Sequence, residues 1–150
     1  RNWTLVYAGN LIGAVATALF MSWSGTLTMG DGSASRTALA IAQTKASLPL
    51  DQAFVRGILC NALVCLAVWL SYAAHSVSGK ILAIVFPISA FVALGFEHSV
   101  ANMYFVPLGM LIGDTITIGQ FLGNLIAVTA GNLIGGSVLV GLVYWIAYRR

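Results

Sequence analysis

Long apolar stretches alternate with short polar ones along this chain, and the alternation predicts its elements. Residues 2–30 carry no charged side chain. About 20 apolar residues, each rising 1.5 Å, cross the hydrocarbon of a bilayer, so a membrane span is predicted at about 3–23. Gly9, Gly13, Ala14, Ala16 and Ala18 thin that helix and permit close helix contact. Residues 24–52 change character and hold Asp31, Arg36, Lys45 and Asp51. Within them 35–46 predicts a short surface helix, ended by Pro49. A second span is predicted at about 55–74, opened by Arg56 and followed by His75. It encloses one amide, Asn61, and a buried amide needs a hydrogen-bond partner. Residues 76–80 predict a tight polar turn. The next apolar block runs over about 81–113, 114–119 predicts a short loop, and a last span is predicted at about 120–148, ending in Arg149 and Arg150.

The 81–113 block is too long for one crossing. As a continuous helix it would extend about 50 Å against a hydrocarbon core of about 30 Å. It also carries Glu97 and His98 side by side, where an ionisable group facing lipid costs about 3 kcal/mol or more. Gly95, a weak helix position, stands just before them, and Pro87 and Pro107 flank the region. These features predict a helix broken at mid-depth whose second half starts near His98. Irregular backbone at that depth is tolerated only when buried in protein or lining a cavity. Adjacent residues on a helix point about 100° apart. His98 is therefore expected to face a passage, and Glu97 to turn into protein near the positive end of the second half-helix.

Composition agrees. The chain has 150 residues, 59% hydrophobic and 7% charged, with a mean hydropathy of +0.93. Soluble domains carry about 25% charged residues, so this is read as an integral membrane protein. The net charge of +3 is a topology signal, with no basic run to suit nucleic acid. Cys60 and Cys65 point in different directions on one helix and are expected to be small buried residues. No His/Cys cluster suggests a metal, no cofactor is implied, and no nucleophile–base pair or phosphate loop supports an enzyme. The N-terminal stretch does not read as a signal peptide, and the chain reads as a piece of something longer. Four spans place both termini on one side, with Arg1, Lys80, Arg149 and Arg150. The positive-inside rule makes that side cytoplasmic, although Arg36, Lys45 and Arg56 soften the contrast. Trp3, Trp23, Trp69, Tyr72, Trp145 and Tyr148 fall near span ends, as an interfacial aromatic belt does.

The ends of the chain hold a repeat. Residues 2–13 resemble residues 124–135, with the shared core A-G-N-L-I-G at 8–13 and 130–135. The basic flank precedes the first copy and follows the second, so the copies cross the membrane in opposite directions. That is the mark of an inverted-topology repeat, whose sites lie near mid-membrane on discontinuous helices. The expected fold is an all-α integral membrane, inverted-repeat helical bundle. Four spans are present of six, one of them broken, and two spans, one broken, are expected to precede Arg1.

Four strings then carry a family resemblance. They are N-W-x-x-V-Y-x-G-N-x-x-G at 2–13, Lys45 ahead of F-x-R-G-I-L-C-N-x-L-V-C at 54–65, G-F-E-H-S-V-A-N-M at 95–103, and N-L-I-x-V-T-x-G-N-x-I-G-G at 124–136. In this order they resemble the C-terminal two-thirds of the formate/nitrite transporter family. The resemblance implies an aquaporin-like arrangement of six spans, a homopentamer with one pore per subunit, and cytoplasmic termini in a bacterial inner membrane, in contact with lipid. It implies passage of small monovalent anions such as formate, nitrite or hydrosulfide, together with protons. The family's central histidine matches His98, its constricting phenylalanine Phe91, its vestibule lysine Lys45, and its characteristic asparagines Asn61 and Asn132. Gly95, Glu97 and Asn102 are supporting positions in the third string. The family's threonine lies on a helix this sequence does not contain.

An anion in a narrow apolar pore loses its hydration at large cost. Lys45 at a mouth would concentrate anions, and His98, with an unperturbed pKa of about 6.5, would supply a proton at the waist. Two other readings compete. An aquaporin-like pore for water or neutral solutes lacks an Asn-Pro-Ala box here and would not need an ionisable waist. A haem-binding membrane subunit needs axial ligands at matching depth, whereas His75 falls at a span end and His98 near the middle.

Overall fold

A chain with so little polar surface must satisfy its backbone N–H and C=O groups within its own segments, and helices do this. The computed structural model describes residues 1–149; Arg150, read above as part of the positive flank, lies outside the described residues. The helices are α1 (Asn2–Trp23), α2 (Ser33–Ala46), α3 (Leu50–Ala73), α4 (Val77–Ala93), α5 (Ser99–Ile112), α6 (Ile118–Ile134) and α7 (Val143–Tyr148). A 3-10 turn occupies Thr26–Thr28, and a π-helical stretch, Gly135–Leu142, joins α6 to α7. Among the described residues, Asn2–Trp23, Leu50–Ala73 and the continuous Ile118–Tyr148 are long and apolar enough to cross a membrane, while α4 and α5 are shorter apolar helices.

Several boundaries differ from those expected, for local reasons. Residues 76–80 are not a free turn. Ser76 is the N-cap of α4, its hydroxyl accepting from the Gly79 N–H at 3.0 Å, so the helix starts at Val77. Pro87 and Pro107 do not bound the break but lie inside α4 and α5. The π-helical stretch begins where Gly135 and Gly136 weaken the α-helix and the Ser137 hydroxyl donates back to the Leu133 carbonyl, a bond that competes with the helical ladder.

The chain forms two compact units. One comprises Arg1–Pro49 and Ser99–Ile126. In it α1 and α2 both pack on α5. Ala42, Ala46, Val106 and Ile116 form one buried cluster, and Ala18, Leu27 and Leu108 another. Gly109 of α5 lies so close to Ala42 that a side chain there would overlap it. Much of the surface of α1 is apolar and open: Trp3, Ile12, Phe20 and Trp23 are each at least 67% exposed. Such a face suits lipid or further helices, not water.

The other unit comprises Leu50–His98 and the residues from Ala127 onward. Here α3 packs against α4 and the π-helical stretch. Its buried positions Ala53, Gly57, Cys60 and Ala67 form a stripe of small residues along one face. The end of α6 meets that stripe through glycines. A Cβ on Gly131 would overlap the Phe54 carbonyl, one on Gly135 the Ile58 carbonyl, and one on Gly57 would stand 2.9 Å from the Val128 carbonyl. Close backbone approach through small residues is what drives helix pairing where lipid removes the hydrophobic incentive.

Gly131→Val is therefore expected to destabilise the full-length protein by about 1–3 kcal/mol or more through overpacking. Thermal unfolding in detergent should report a lowered midpoint. Gly119→Ala, where the nearest atom to an added Cβ is the Thr117 hydroxyl at 3.9 Å, should leave it near wild type.

Candidate functional site

The break lies where Gly95, Glu97 and His98 were expected to put it. α4 ends at Ala93, and Gly95 takes the left-handed conformation with φ +65°. The Phe96 N–H then donates to the Phe91 carbonyl at 3.0 Å, and the Gly95 N–H to the Val92 carbonyl at 3.1 Å. This pair of bonds is the Schellman motif, which satisfies the last carbonyls of a helix and suits glycine at its left-handed position. Residues 96–98 are non-helical, and α5 begins at Ser99. Glu97 and His98 thus sit on the connection and not on a helix, so the 100° argument does not apply to them. Their environments still differ: Glu97 is 4% exposed and His98 half-buried.

Three contacts from neighbouring elements hold the turn. The Arg56 guanidinium of α3 donates to the Gly95 carbonyl at 3.4 Å, and the Arg56 carbonyl accepts from the Glu97 N–H at 3.4 Å. Asn132 of α6 makes the third and shortest. Its Nδ2 donates to the Glu97 carbonyl and to the Gly57 carbonyl, each at 2.9 Å. The amide NH2 has two hydrogens, and each has a protein acceptor. Asn61 of α3 donates in turn to the Asn132 carbonyl at 2.6 Å. The Nδ2 groups of Asn61 and Asn132, both expected along a substrate path, are therefore engaged with backbone carbonyls.

Phe91 and His98 meet across the break. Their ring centroids are 6.2 Å apart with 28° between the planes. The residue whose carbonyl closes the Schellman turn thus also presents its ring to the imidazole. Phe91, Gly95, Glu97, His98, Asn61 and Asn132 all belong to one unit. Lys45 and Asn102 belong to the other. There Lys45 is half-buried in the last turn of α2, and Asn102 is fully buried in α5. Asn102 Nδ2 donates to Asn124 Oδ1 at 2.8 Å, and Asn124 Nδ2 donates to the Lys45 carbonyl at 2.9 Å.

Two participants were not assigned from sequence. Arg56 was read as a topology charge opening a span and as part of the second family string, with no role at the break. Asn124 was read only as part of the repeat, although an amide inside an uncharged apolar helix carries the same signal that marks Asn61 and Asn132.

Apolar helices, one of them interrupted by a glycine turn that carries a buried carboxyl residue and an imidazole, define an integral membrane protein organised around a discontinuous helix. Comparison with known proteins gives its family. The family model described as "Formate/nitrite transporter" matches residues 1–146. The chain is 48% identical to the uncharacterized transporter YrhG of Bacillus subtilis over 149 residues, covering 99% of this chain and 55% of that protein. It is 41% identical to the formate channel FocA of Escherichia coli strain K12, covering 100% of this chain and 59% of that one. With the nitrite transporter NirC of Salmonella typhimurium it shares 40% identity over 94% of this chain and 52% of NirC. A solved structure of a pentameric formate channel with formate bound superposes with a TM-score of 0.91 at 36% identity, covering 100% of this chain and 66% of that one. The chain belongs to the formate/nitrite transporter family and spans between about half and two thirds of the length of these relatives.

Asn132→Leu keeps the branched shape of the side chain and removes both donated bonds. Leaving a buried carbonyl unpartnered costs about 1–3 kcal/mol, which corresponds to about five- to a hundredfold in a local opening equilibrium. Hydrogen–deuterium exchange of peptides covering 95–99 should accelerate by that factor, with peptides of α1 unchanged.

Proposed function

We propose that the complete protein conducts small monovalent anions of the formate and nitrite class across a bacterial inner membrane, with His98 exchanging a proton or hydrogen bond with the passing anion. The observation that carries this reading is the Phe91–His98 ring pair set on a Schellman-terminated helix break in a chain of this family. The formate and nitrite names of its relatives, and the formate-bound pentamer among the solved structures, support the substrate class and a homopentameric assembly.

In this reading Lys45 raises the local concentration of anions at the mouth. The Phe91 ring narrows the passage. The His98 imidazole offsets the desolvation of the anion by donating to it, so that a neutral acid or a hydrogen-bonded anion crosses the apolar zone. Glu97, turned inward, belongs to the scaffold of the break. Hydrosulfide fits the same charge and size class. The termini face the cytoplasm, and two further spans complete a six-span subunit. Gly9 and Gly13 of α1 have nothing within 4 Å of an added Cβ, and Asn10 beside them is exposed. In the whole subunit these residues take, against the partner break, the place that Gly131, Asn132 and Gly135 take here.

Flux assays in proteoliposomes test this. With empty-liposome leak subtracted, wild-type formate flux is expected to rise as pH falls through about 6.5, the range in which a histidine becomes protonated. His98→Phe should lower flux about ten- to a hundredfold, since a charged donor to an anion contributes about 1.5–3 kcal/mol. It should also flatten the pH profile. Wild-type flux and pH response in a correctly assembled His98→Phe protein would remove His98 from the mechanism.

A further inference from the structure

We infer that Asn124 is a positioning residue for Lys45, acting through the Lys45 backbone carbonyl. This rests on the reading of Lys45 as the cation that gathers anions. The last four carbonyls of a helix have no intrahelical donor, and Lys45 lies in the final turn of α2. The Leu48 N–H stands at 3.4 Å from its carbonyl, a long contact. The 2.9 Å bond from Asn124 Nδ2 is the short one.

The chemistry of the acceptor orients the whole relay. A carbonyl can only accept, so Asn124 must turn its NH2 toward Lys45 and its Oδ1 away. That oxygen then requires a donor, and Asn102 Nδ2 supplies it at 2.8 Å. Both amides are sealed from solvent, Asn102 at 0% and Asn124 at 1% exposure. A buried amide without partners would be costly; both the Oδ1 and the NH2 of Asn124 are engaged, with Asn102 and with the Lys45 carbonyl. Asn102 lies in the first turn of α5, four residues after His98. The relay therefore ties the end of α2 that carries Lys45 to the start of the half-helix that follows the break. Nearby contacts fix the same end of α2 without reaching Lys45: Ala42 packs on Gly109, and Gln43 Nε2 donates to the Thr115 hydroxyl at 2.9 Å.

Asn124→Leu removes the relay while keeping the branched shape of the side chain, and Asn124→Ala does so without risk of overlap if the leucine does not assemble. In proteoliposomes containing the full-length protein, the concentration of formate at half-maximal flux is expected to rise about three- to tenfold, part of the 10- to 1000-fold enhancement that focused charge can supply. Maximal flux and the pH midpoint should stay near wild type. The Lys45→Met protein should show the same shift, and Asn124→Leu combined with Lys45→Met should be no worse than Lys45→Met alone, the non-additivity expected of residues acting through one group. A normal half-saturation in the Asn124 proteins alongside a raised one in Lys45→Met overturns the positioning role and leaves the Lys45 reading intact. Additive effects in the double variant also overturn it. A normal half-saturation in Lys45→Met withdraws the Lys45 reading and the positioning role with it.

Discussion

The amide of Asn132 is the interaction on which this structure depends. A helix interrupted within an apolar medium leaves backbone N–H and C=O groups with no water to bond, and each such group costs free energy until a protein group replaces the water. The Schellman turn closes the carbonyl side of the break from within α4. Its two bonds do not include the Glu97 carbonyl. Asn132 reaches that carbonyl from α6 and spends its second hydrogen on Gly57 of α3. A single neutral side chain thereby joins the break to the two longest apolar elements of its unit.

That reach is possible only because the backbones of α3 and α6 approach so closely. Gly57, Gly131 and Gly135 have no side chains, and any Cβ on Gly131 or Gly135 would overlap a carbonyl of α3. The small-residue contact and the amide bridge are one device. The glycines set the distance, and the amide converts that distance into hydrogen bonds. Asn61, donating to the Asn132 carbonyl at 2.6 Å, adds a second polar link on the same side. Neutral amides suit this task better than charges, because burying an unpaired ion costs far more than burying an amide with both hydrogens used.

Much of this could be read from residues alone, and the failures have physical causes. The break was legible because a 33-residue apolar run exceeds the membrane and because Gly95, Glu97 and His98 contradict a continuous helix. Its mechanism was not legible. Pro87 and Pro107 drew attention as breakers, yet a proline inside a packed apolar helix is tolerated when neighbours make up the lost bond, and the left-handed glycine does the terminating. Placing Glu97 and His98 on a helix was the natural default for an apolar run. Their actual environments are set by tertiary donors that no local pattern encodes. The repeat at 8–13 and 130–135 showed which glycines and asparagines matter, but not that one copy would be packed against α3 while the other lies open. Hydrogen-bond partners 35 to 79 residues apart, such as Asn132 with Glu97 and Asn124 with Lys45, exist only once the helices are assembled.

Apart from the buried Glu97, the polar residues around the break and the Asn124 relay divide by the energy of burying them. Asn102, Asn124 and Asn132 are buried, and their donated bonds run to backbone carbonyls or to one another. Arg56, Lys45 and His98 keep partial exposure, which lets a charged or chargeable head retain some solvation. Amides with their hydrogens used hold irregular backbone in a medium that otherwise favours helix, and a few ionisable groups keep partial exposure. Amide side chains do not titrate near neutral pH, so the bonds that Asn132 makes to the break do not depend on a protonation state.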